Sequence, residues 1–394
     1  MTAALPARAV ALLAFASFVS ASTLRATDPL LPAIAAELGA TPGTVGLTVA
    51  AFTLAYGFCQ LAWGPVGDRF GKYRVVALAC LLSAVTTAAV AAAHSLAMLA
   101  AARLLSGVTA SAIISLSVAF IGDHVPYERR QATLGHLYTG QISGLIGGQL
   151  IGGGIGGHLG WRAVFLVLAA LFLLAAILLW LELRAASMPP PVLREPTPQR
   201  ELVLGYLRFA RRPWPRLVLL TVLAESILFF GAFAYAGLAL HTTFGLGFGL
   251  VGLILGAFGL GGLLYVLTAR ALMRRLGERG LARTGGMLLA LGYLALALAP
   301  APWLAAAAVA LLGLGFYMLH TTLVTVATQL SAAARGQAVA SFGSCAFIGQ
   351  GLGAWLGGLV VDGPGTMVLF LAVAPLLLLL GLGFARRMKH RPAS

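Results

Sequence analysis

The chain has 394 residues, of which 60% are apolar and only 9% charged, far from the quarter, roughly, that is usual for a soluble domain. That balance excludes an ordinary soluble enzyme or scaffold and describes a polytopic membrane protein. The net charge of +15 would suit a nucleic-acid binder, but the Lys and Arg are scattered singly through short loops between apolar runs; the charge reads as topology, and no nucleic-acid partner is expected.

Twelve apolar segments are long enough to cross a hydrocarbon core of about 30 Å. They fall near 9–28, 44–63, 75–93, 96–121, 133–157, 163–183, 217–240, 246–269, 284–300, 303–327, 337–360 and 366–385. Arg8 followed by an apolar run would also describe a secretory signal peptide, but the run is long enough to span and similar segments follow, so a retained first helix is expected. The connections test the count, because Arg and Lys concentrate in inner loops. With the amino terminus inside, only Arg25, Arg103 and Arg162 fall elsewhere, which leaves 23 of the 26 basic residues on one side. Both termini are therefore expected in the cytoplasm. Cys59, Cys80 and Cys345 lie inside apolar runs without ligand-like spacing and indicate neither a disulfide framework nor a metal site.

In the first segment Arg25 and Asp28 are three residues apart and can pair on one helix face. A rise of 1.5 Å per residue from Val10 puts them about 22 Å and 27 Å from the inner edge, so Asp28 either sits hydrated in the interface or lines a cavity. The second and third segments flank Gly64-Pro65-Val66-Gly67-Asp68-Arg69-Phe70-Gly71-Lys72-Tyr73-Arg74, which reads as a short charged inner loop. Arg103, about 10 Å inside the fourth segment, either snorkels outward or faces the interior. The fifth segment carries Gly140, Gly144, Gly148, Gly152 and Gly156, one glycine every four residues. They form a bare, slowly drifting stripe against which another backbone can pack closely.

Residues 185–216 form the only long polar stretch. It opens with Met188-Pro189-Pro190-Pro191, which cannot continue a helix, and 201–212 could form a surface amphipathic helix. In the seventh segment Glu225 lies about 12 Å deep. A carboxyl group there is cheaper neutral than charged, which suits a proton carrier, although a static hydrogen-bonded acid or a counter-charge for a cationic substrate would use the same residue. Phe229, Phe230, Phe233 and Tyr235 crowd the same segment beside it, an aromatic wall with one acid that suits lipophilic, including cationic, ligands or simply packs against lipid. Tyr138, Gln141, Gln149, Tyr317 and Gln350 are candidates for cavity lining or for hydrogen bonds between helices. His136 and His320 are lone histidines in apolar surroundings, for which a hydrogen-bonded structural role is expected. Gly247 to Gly252 satisfies G-x-G-x-x-G but follows no strand, and there is no phosphate-binding loop or H-E-x-x-H, so nothing indicates nucleotide hydrolysis or proteolysis. A shift of 206 residues places Arg69 and Gly71 on Arg275 and Gly277, Gly107 on Gly313, Gln131 on Gln337, Gly147 on Gly353 and Gly152 on Gly358, as a repeated half would.

The stretch 64–74 fits G-x-x-x-D-R-x-G-K-x-R and resembles the signature loop between the second and third helices of the major facilitator superfamily. Arg103-Leu-Leu-Ser-Gly107 resembles that family's fourth-helix R-x-x-x-G, which is linked to proton transfer. Residues 144–153 resemble the fifth-helix motif of its antiporters, G-x-x-x-G-P-x-x-G-G, with Gln149 where those have proline. Residues 24–34 are similar to the T-D-x-Y-L-P-A segment of the branch that includes bicyclomycin and chloramphenicol exporters.

The resemblance implies an all-α membrane protein of twelve transmembrane helices in two pseudo-symmetric six-helix domains, 1–184 and 217–394, joined by the linker 185–216. It implies a secondary transporter working by alternating access, with proton-coupled efflux of small amphipathic or drug-like molecules. Asp28, Arg25, Arg103 and Glu225 would carry coupling and substrate. Gly64, Asp68, Arg69, Gly71, Lys72 and Arg74 would form a conformational latch with Asp123, Glu128, Arg129 or Arg130. The partners would be a small molecule, protons and the lipid bilayer of a bacterial inner membrane, the protein being a monomer without a cofactor. An uptake symporter or uniporter is the alternative, and a non-transporting receptor or scaffold a more distant one.

Overall fold

The computed structural model describes residues 6–185, 188–193, 199–330 and 335–390, which are helical with short connections. In chain order the helices are α1 Ala7–Arg25, α2 Leu31–Leu38, α3 Pro42–Cys59, α4 Trp63–Phe70, α5 Lys72–Ala91, α6 Leu96–His124, α7 Tyr127–Leu159 and α8 Trp161–Leu183. They continue with α9 Gln199–Arg211, α10 Pro213–Phe233, α11 Ala236–Phe244, α12 Phe248–Ala297, α13 Pro302–Thr328, α14 Arg335–Asp362 and α15 Thr366–Arg387. Among the described residues ten helical segments are long and apolar enough to cross a membrane. The glycine-rich α7, 33 residues long, is not one of them, and the 50-residue α12 is two helices merged across Gly277, whose φ of 63° and ψ of 175° are not helical. Outward faces are apolar: α8 exposes Leu166, Leu173, Ile177 and Leu181, which hydrocarbon solvates and water does not.

Several expected boundaries differ. The segment 64–74 is not a loop but α4 followed at once by α5, with Gly71 turning between them at φ 88°, a conformation that favours glycine. The first segment is broken: after α1 comes a 3-10 turn at Asp28–Leu30 and then α2. Pro29 and Pro32 each remove a backbone donor there. The seventh segment is likewise broken, between α10 and α11 at Tyr235, where no proline stands. The helix expected at 201–212 is α9, which buries Phe209 against the bundle.

Close packing depends on glycine. A Cβ added at Gly140, Gly144, Gly148 or Gly152 of α7 would run into the backbone of Ala14, Phe18, Ser22 or Ala26 of α1 or just beyond it, and at Gly156 into Leu30. The same contact recurs between α14 and α10: adding 209 to each number carries the first three pairs onto Gly349, Gly353 and Gly357 against Leu223, Ile227 and Gly231. Gly107 against Phe52 maps instead onto Gly313 against Phe258 with a shift of 206, and Gly71 maps with that shift onto the other kink glycine, Gly277. The 206-residue offset therefore fails at the fifth helix, where three additional residues have entered; Gly144, and not Gly147, is the counterpart of Gly353. Across the molecule, α3 packs on α14 and α7 on α12.

Candidate functional site

Arg25 and Asp28 lie where the first helix breaks, 4% and 0% exposed; the hydrated interfacial placement of Asp28 is excluded. The helix has stopped winding at Ala26, so the carboxylate turns inward beside the guanidinium. Arg25 Nη1 makes a long 3.5 Å contact with Asp28 Oδ2, while Nη2 donates to Gln350 Oε1 of α14 at 2.6 Å. Gln149 Nε2 of α7 donates to Asp28 Oδ2 at 3.0 Å. The Arg25 guanidinium also lies 4.1 Å from the ring centroid of Phe230 on α10. Arg25 therefore reaches from α1 across to α10 and α14. Among the described residues, Asp28 Oδ1 and Gln149 Oε1 are buried without a hydrogen-bond partner.

Arg103 on α6 is fully buried and does not snorkel. Its Nη1 donates to Thr23 O at 3.1 Å, and the guanidinium stands 4.2 Å from the Phe52 ring and 5.6 Å from Phe165. Nε and Nη2 have no acceptor among the described residues. Close approach of α3 over Gly107 brings Phe52 onto Arg103, and an aromatic face then supplies the negative potential that a carboxylate would. Arg162, the remaining basic residue off the inner side, is simply accounted for: it pairs with Glu37, which also accepts from Trp161 Nε1.

Glu225 of α10 is fully buried but not lone. Its Oε2 meets His320 Nδ1 of α13 at 2.7 Å, and Oε1 has no partner among the described residues. His320 is partly exposed and stacks on Phe316 at 4.7 Å. The lone acid and the lone histidine of the sequence reading are thus one hydrogen-bonded acid–imidazole pair.

Around these groups Phe229, Phe230, Phe233, Phe258 and Phe316 form a continuous aromatic cluster. A small cavity of ≈ 10 Å³, on the order of one water molecule, opens between α7, α10 and α12, with Arg25, Gln149, Phe230, Phe233 and Phe258 among its walls. Of the expected lining residues, Gln149 and Phe233 are there. Phe229 is buried behind them in the cluster, Tyr317 packs on Phe258 at 5.7 Å, and Gln350 approaches through Arg25. Tyr138 is 39% exposed and, like half-buried Gln141, lies nearer the start of α7. Phe230 belongs to the aromatic run expected beside Glu225 but meets Arg25 instead, and Phe258 of α12 carries no local sequence signal, because nothing in a run of aromatics marks which face meets a charge.

At the end of the bundle carrying α4, Lys72 is buried between Asp68 Oδ1 at 2.5 Å and Asp123 Oδ2 of α6 at 2.6 Å. Asp68 is thus engaged inside its own motif. Arg69 lies 5.2 Å from the Phe70 ring, and Arg74 is exposed. Arg130 donates to Gly122 O and Val125 O; the Glu128 side chain is outside the described residues. At the opposite end Asp362, closing α14, accepts from Thr41 Oγ1 at 2.5 Å and from Gly43 N at 2.8 Å, capping the first turn of α3. Tyr235 of the α10–α11 break donates to Ala354 O at 2.7 Å in the same seam.

The family model of the Major Facilitator Superfamily matches residues 13–340. The chain is 28% identical over 222 residues to the multi-drug resistance efflux pump PmrA of Streptococcus pneumoniae, a match covering 55% of this chain and 54% of that protein. It is 29% identical over 156 residues to the bicyclomycin resistance protein homolog of Haemophilus influenzae, over 39% of each. The chain thus spans about half or less of the length of these two relatives. Among solved structures, a bacterial homolog of the human lysosomal transporter Spinster, inward-facing and occupied, superposes with a TM-score of 0.74 and 19% identity over 98% of this chain and 97% of that one.

Proposed function

From the premise that the chain belongs to the Major Facilitator Superfamily, and so is an integral membrane transporter, we propose that it works by alternating access and couples protons to the efflux of small amphipathic or drug-like molecules. The names of its relatives, a multidrug pump and a bicyclomycin resistance homolog, support the substrate class. Twelve crossings follow if α7 spans and α12 is divided at Gly277. Two six-helix halves, 1–184 and 217–394 about the linker 185–216, are supported by the recurring glycine contacts at offsets of 206 and 209. The basic residues favour both termini inside a bacterial inner membrane, and the protein is taken as a monomer.

The observation that carries the proposal is Arg25. It leaves α1, stands over Phe230 of α10 and donates to Gln350 of α14, so its contacts must change whenever those elements part. Asp28 beside it and Glu225 of α10, each with one buried carboxylate oxygen unpartnered among the described residues, are the acids that take the proton in this reading. Neutralising a carboxylate changes which conformation is cheaper, which is how a bound proton shifts a two-state equilibrium. Arg103 holds the α1–α3–α6 junction through Thr23 and Phe52. Gly64, Asp68, Arg69, Gly71, Lys72 and Arg74 form the inner latch, and the Asp362 cap is its outer counterpart. Contacts of Ile146, Leu150 and Gly153 of α7 with α12, against exposed Gln131, Ala132, Gly135, His136 and Tyr138 nearer the start of α7, support an inward-facing state.

Gln149 keeps a second reading open, because it stands where the antiporter motif has proline and instead binds Asp28; a symporter or uniporter would tolerate that exchange. Everted membrane vesicles, acid inside, separate the two with a panel of lipophilic cations, anions and neutral drugs. Export predicts gradient-dependent accumulation of some panel member in the vesicles. Its depletion under the same gradient would identify a symporter, and flux indifferent to the gradient a uniporter.

A further inference from the structure

Among the described residues that line the cavity between α7, α10 and α12, Arg25 alone carries a charge. Asp28 is not part of that wall: its carboxylate is held by Gln149 and lies only at the 3.5 Å limit from Arg25. Glu225 is not part of it either, being taken by His320. The strongest hydrogen bond Arg25 makes is to a neutral acceptor, the amide oxygen of Gln350 at 2.6 Å. A guanidinium has five N–H donors in a fixed fork that matches the two oxygens of a carboxylate. A buried guanidinium with one long acid contact and one neutral acceptor is short of negative charge.

The rest of the wall is apolar and aromatic, with Phe230, Phe233 and Phe258 in mutual contact through the cluster. When α1 and α14 separate, Nη2 loses Gln350 and must find another oxygen. An anionic oxygen makes the stronger bond there, whereas an ammonium group would meet the guanidinium at close range and be repelled.

We infer that the ligand of this site is a lipophilic organic anion, a carboxylate or sulfonate on an aromatic or alkyl body, whose acidic group replaces Gln350 on Arg25 while its body lies on Phe230, Phe233 and Phe258. This rests on the reading of the chain as a transporter whose elements part at this seam, and it narrows the amphipathic substrate class to one sign of charge.

The test uses purified full-length protein in detergent and three probes with one body: 4-phenylbutyrate, 4-phenylbutanamide and 4-phenylbutylamine. In thermal-shift titrations the acid stabilises the protein saturably, and it does so at least about tenfold more tightly than the amide, the difference expected for a charge-assisted over a neutral hydrogen bond. The amine gives no shift. Arg25→Gln lowers the acid to the affinity of the amide, and Arg25→Lys retains part of the preference. Gln350→Glu, which supplies a carboxylate from within, weakens the acid by a similar factor in a protein that still unfolds cooperatively. Binding of the amine or amide as tightly as the acid overturns the proposal, as does acid binding unchanged in Arg25→Gln or no saturable stabilisation by any probe. The assay reads binding without flux, so acid-selective binding in a protein that moves no protons would contradict the coupling reading and leave this one standing.

Discussion

Gln149 of α7 donates its side-chain amide to Asp28 Oδ2 across 3.0 Å, and it does so from the position that proline holds in the antiporter motif this helix resembles. A proline would bend α7 and leave the carboxylate without that donor. Here the helix runs on, and the amide shares Asp28 Oδ2 with Arg25 Nη1, which lies 3.5 Å from it. Gln149→Ala should therefore destabilise the protein by about 1–2 kcal/mol, the cost of removing the shorter of the two hydrogen bonds to a buried carboxylate oxygen. Gln149→Pro should cost more, because it also opens the backbone where Gly148 and Gly152 rest on α1. Melting temperatures of the two variants in detergent decide it; a proline variant as stable as the alanine one would show that α7 already bends freely there.

The glycine stripe gives a prediction with an internal control. Gly148→Leu forces a side chain into the backbone of Ser22, an overpacking that costs about 1–3 kcal/mol or more where the backbone cannot retreat. Gly154→Ala, on the same helix but with nothing within 4 Å of an added Cβ, should be neutral or stabilising by about 0.5–1 kcal/mol. Yield of monodisperse protein and thermal stability check both. Equal damage at the two positions would mean that helix propensity, and not the α1 contact, is what the glycines serve.

Glu225 and His320 should behave as one unit. His320→Ala leaves a fully buried acid without its partner, whereas in the double variant with Glu225→Gln there is no charge to strand. A double-mutant cycle on thermal stability should thus give a coupling energy of about 0.5–3 kcal/mol. Additive effects within about 0.3 kcal/mol would show that the two side chains are merely adjacent.

How much of this was legible beforehand depends on how local each signal is. The period-four glycines, the charged motif around Asp68 and the depth of Arg103 and Glu225 are properties of single segments, so sequence spacing exposes them. The Glu225–His320 pair joins residues 95 apart, and each alone looks like an isolated polar group in an apolar helix. The break at Tyr235 carries no proline; the phenol's bond to Ala354 O takes part in fixing it through a neighbouring helix. The 206-residue offset is carried too far by sequence alone, into the fifth helix, because a glycine-rich helix offers a chance match at almost any shift, and only the backbone contacts distinguish Gly144 from Gly147 as the counterpart of Gly353.

Asp362 tests the outer seam. Its carboxylate accepts from Thr41 Oγ1 and Gly43 N, so α14 caps α3 only while the two are together. Asp362→Asn should weaken that cap by about 1 kcal/mol at an exposed site and raise the outward-open population about fivefold. Spin labels at Ala36 and Gly363 would report it as growth of a longer-distance population, and an unchanged distance distribution would remove Asp362 from the gate.

The central claim, proton-coupled transport through buried acids, is tested most directly in liposomes that enclose a pH-sensitive dye and carry the purified protein, with lipophilic anions, cations and neutral drugs added under an imposed proton gradient. Ligand-dependent proton movement is predicted for the native protein and should be lost in Asp28→Asn or Glu225→Gln variants that remain folded. Ligand flux without proton movement, or proton movement that survives both substitutions, would contradict the account.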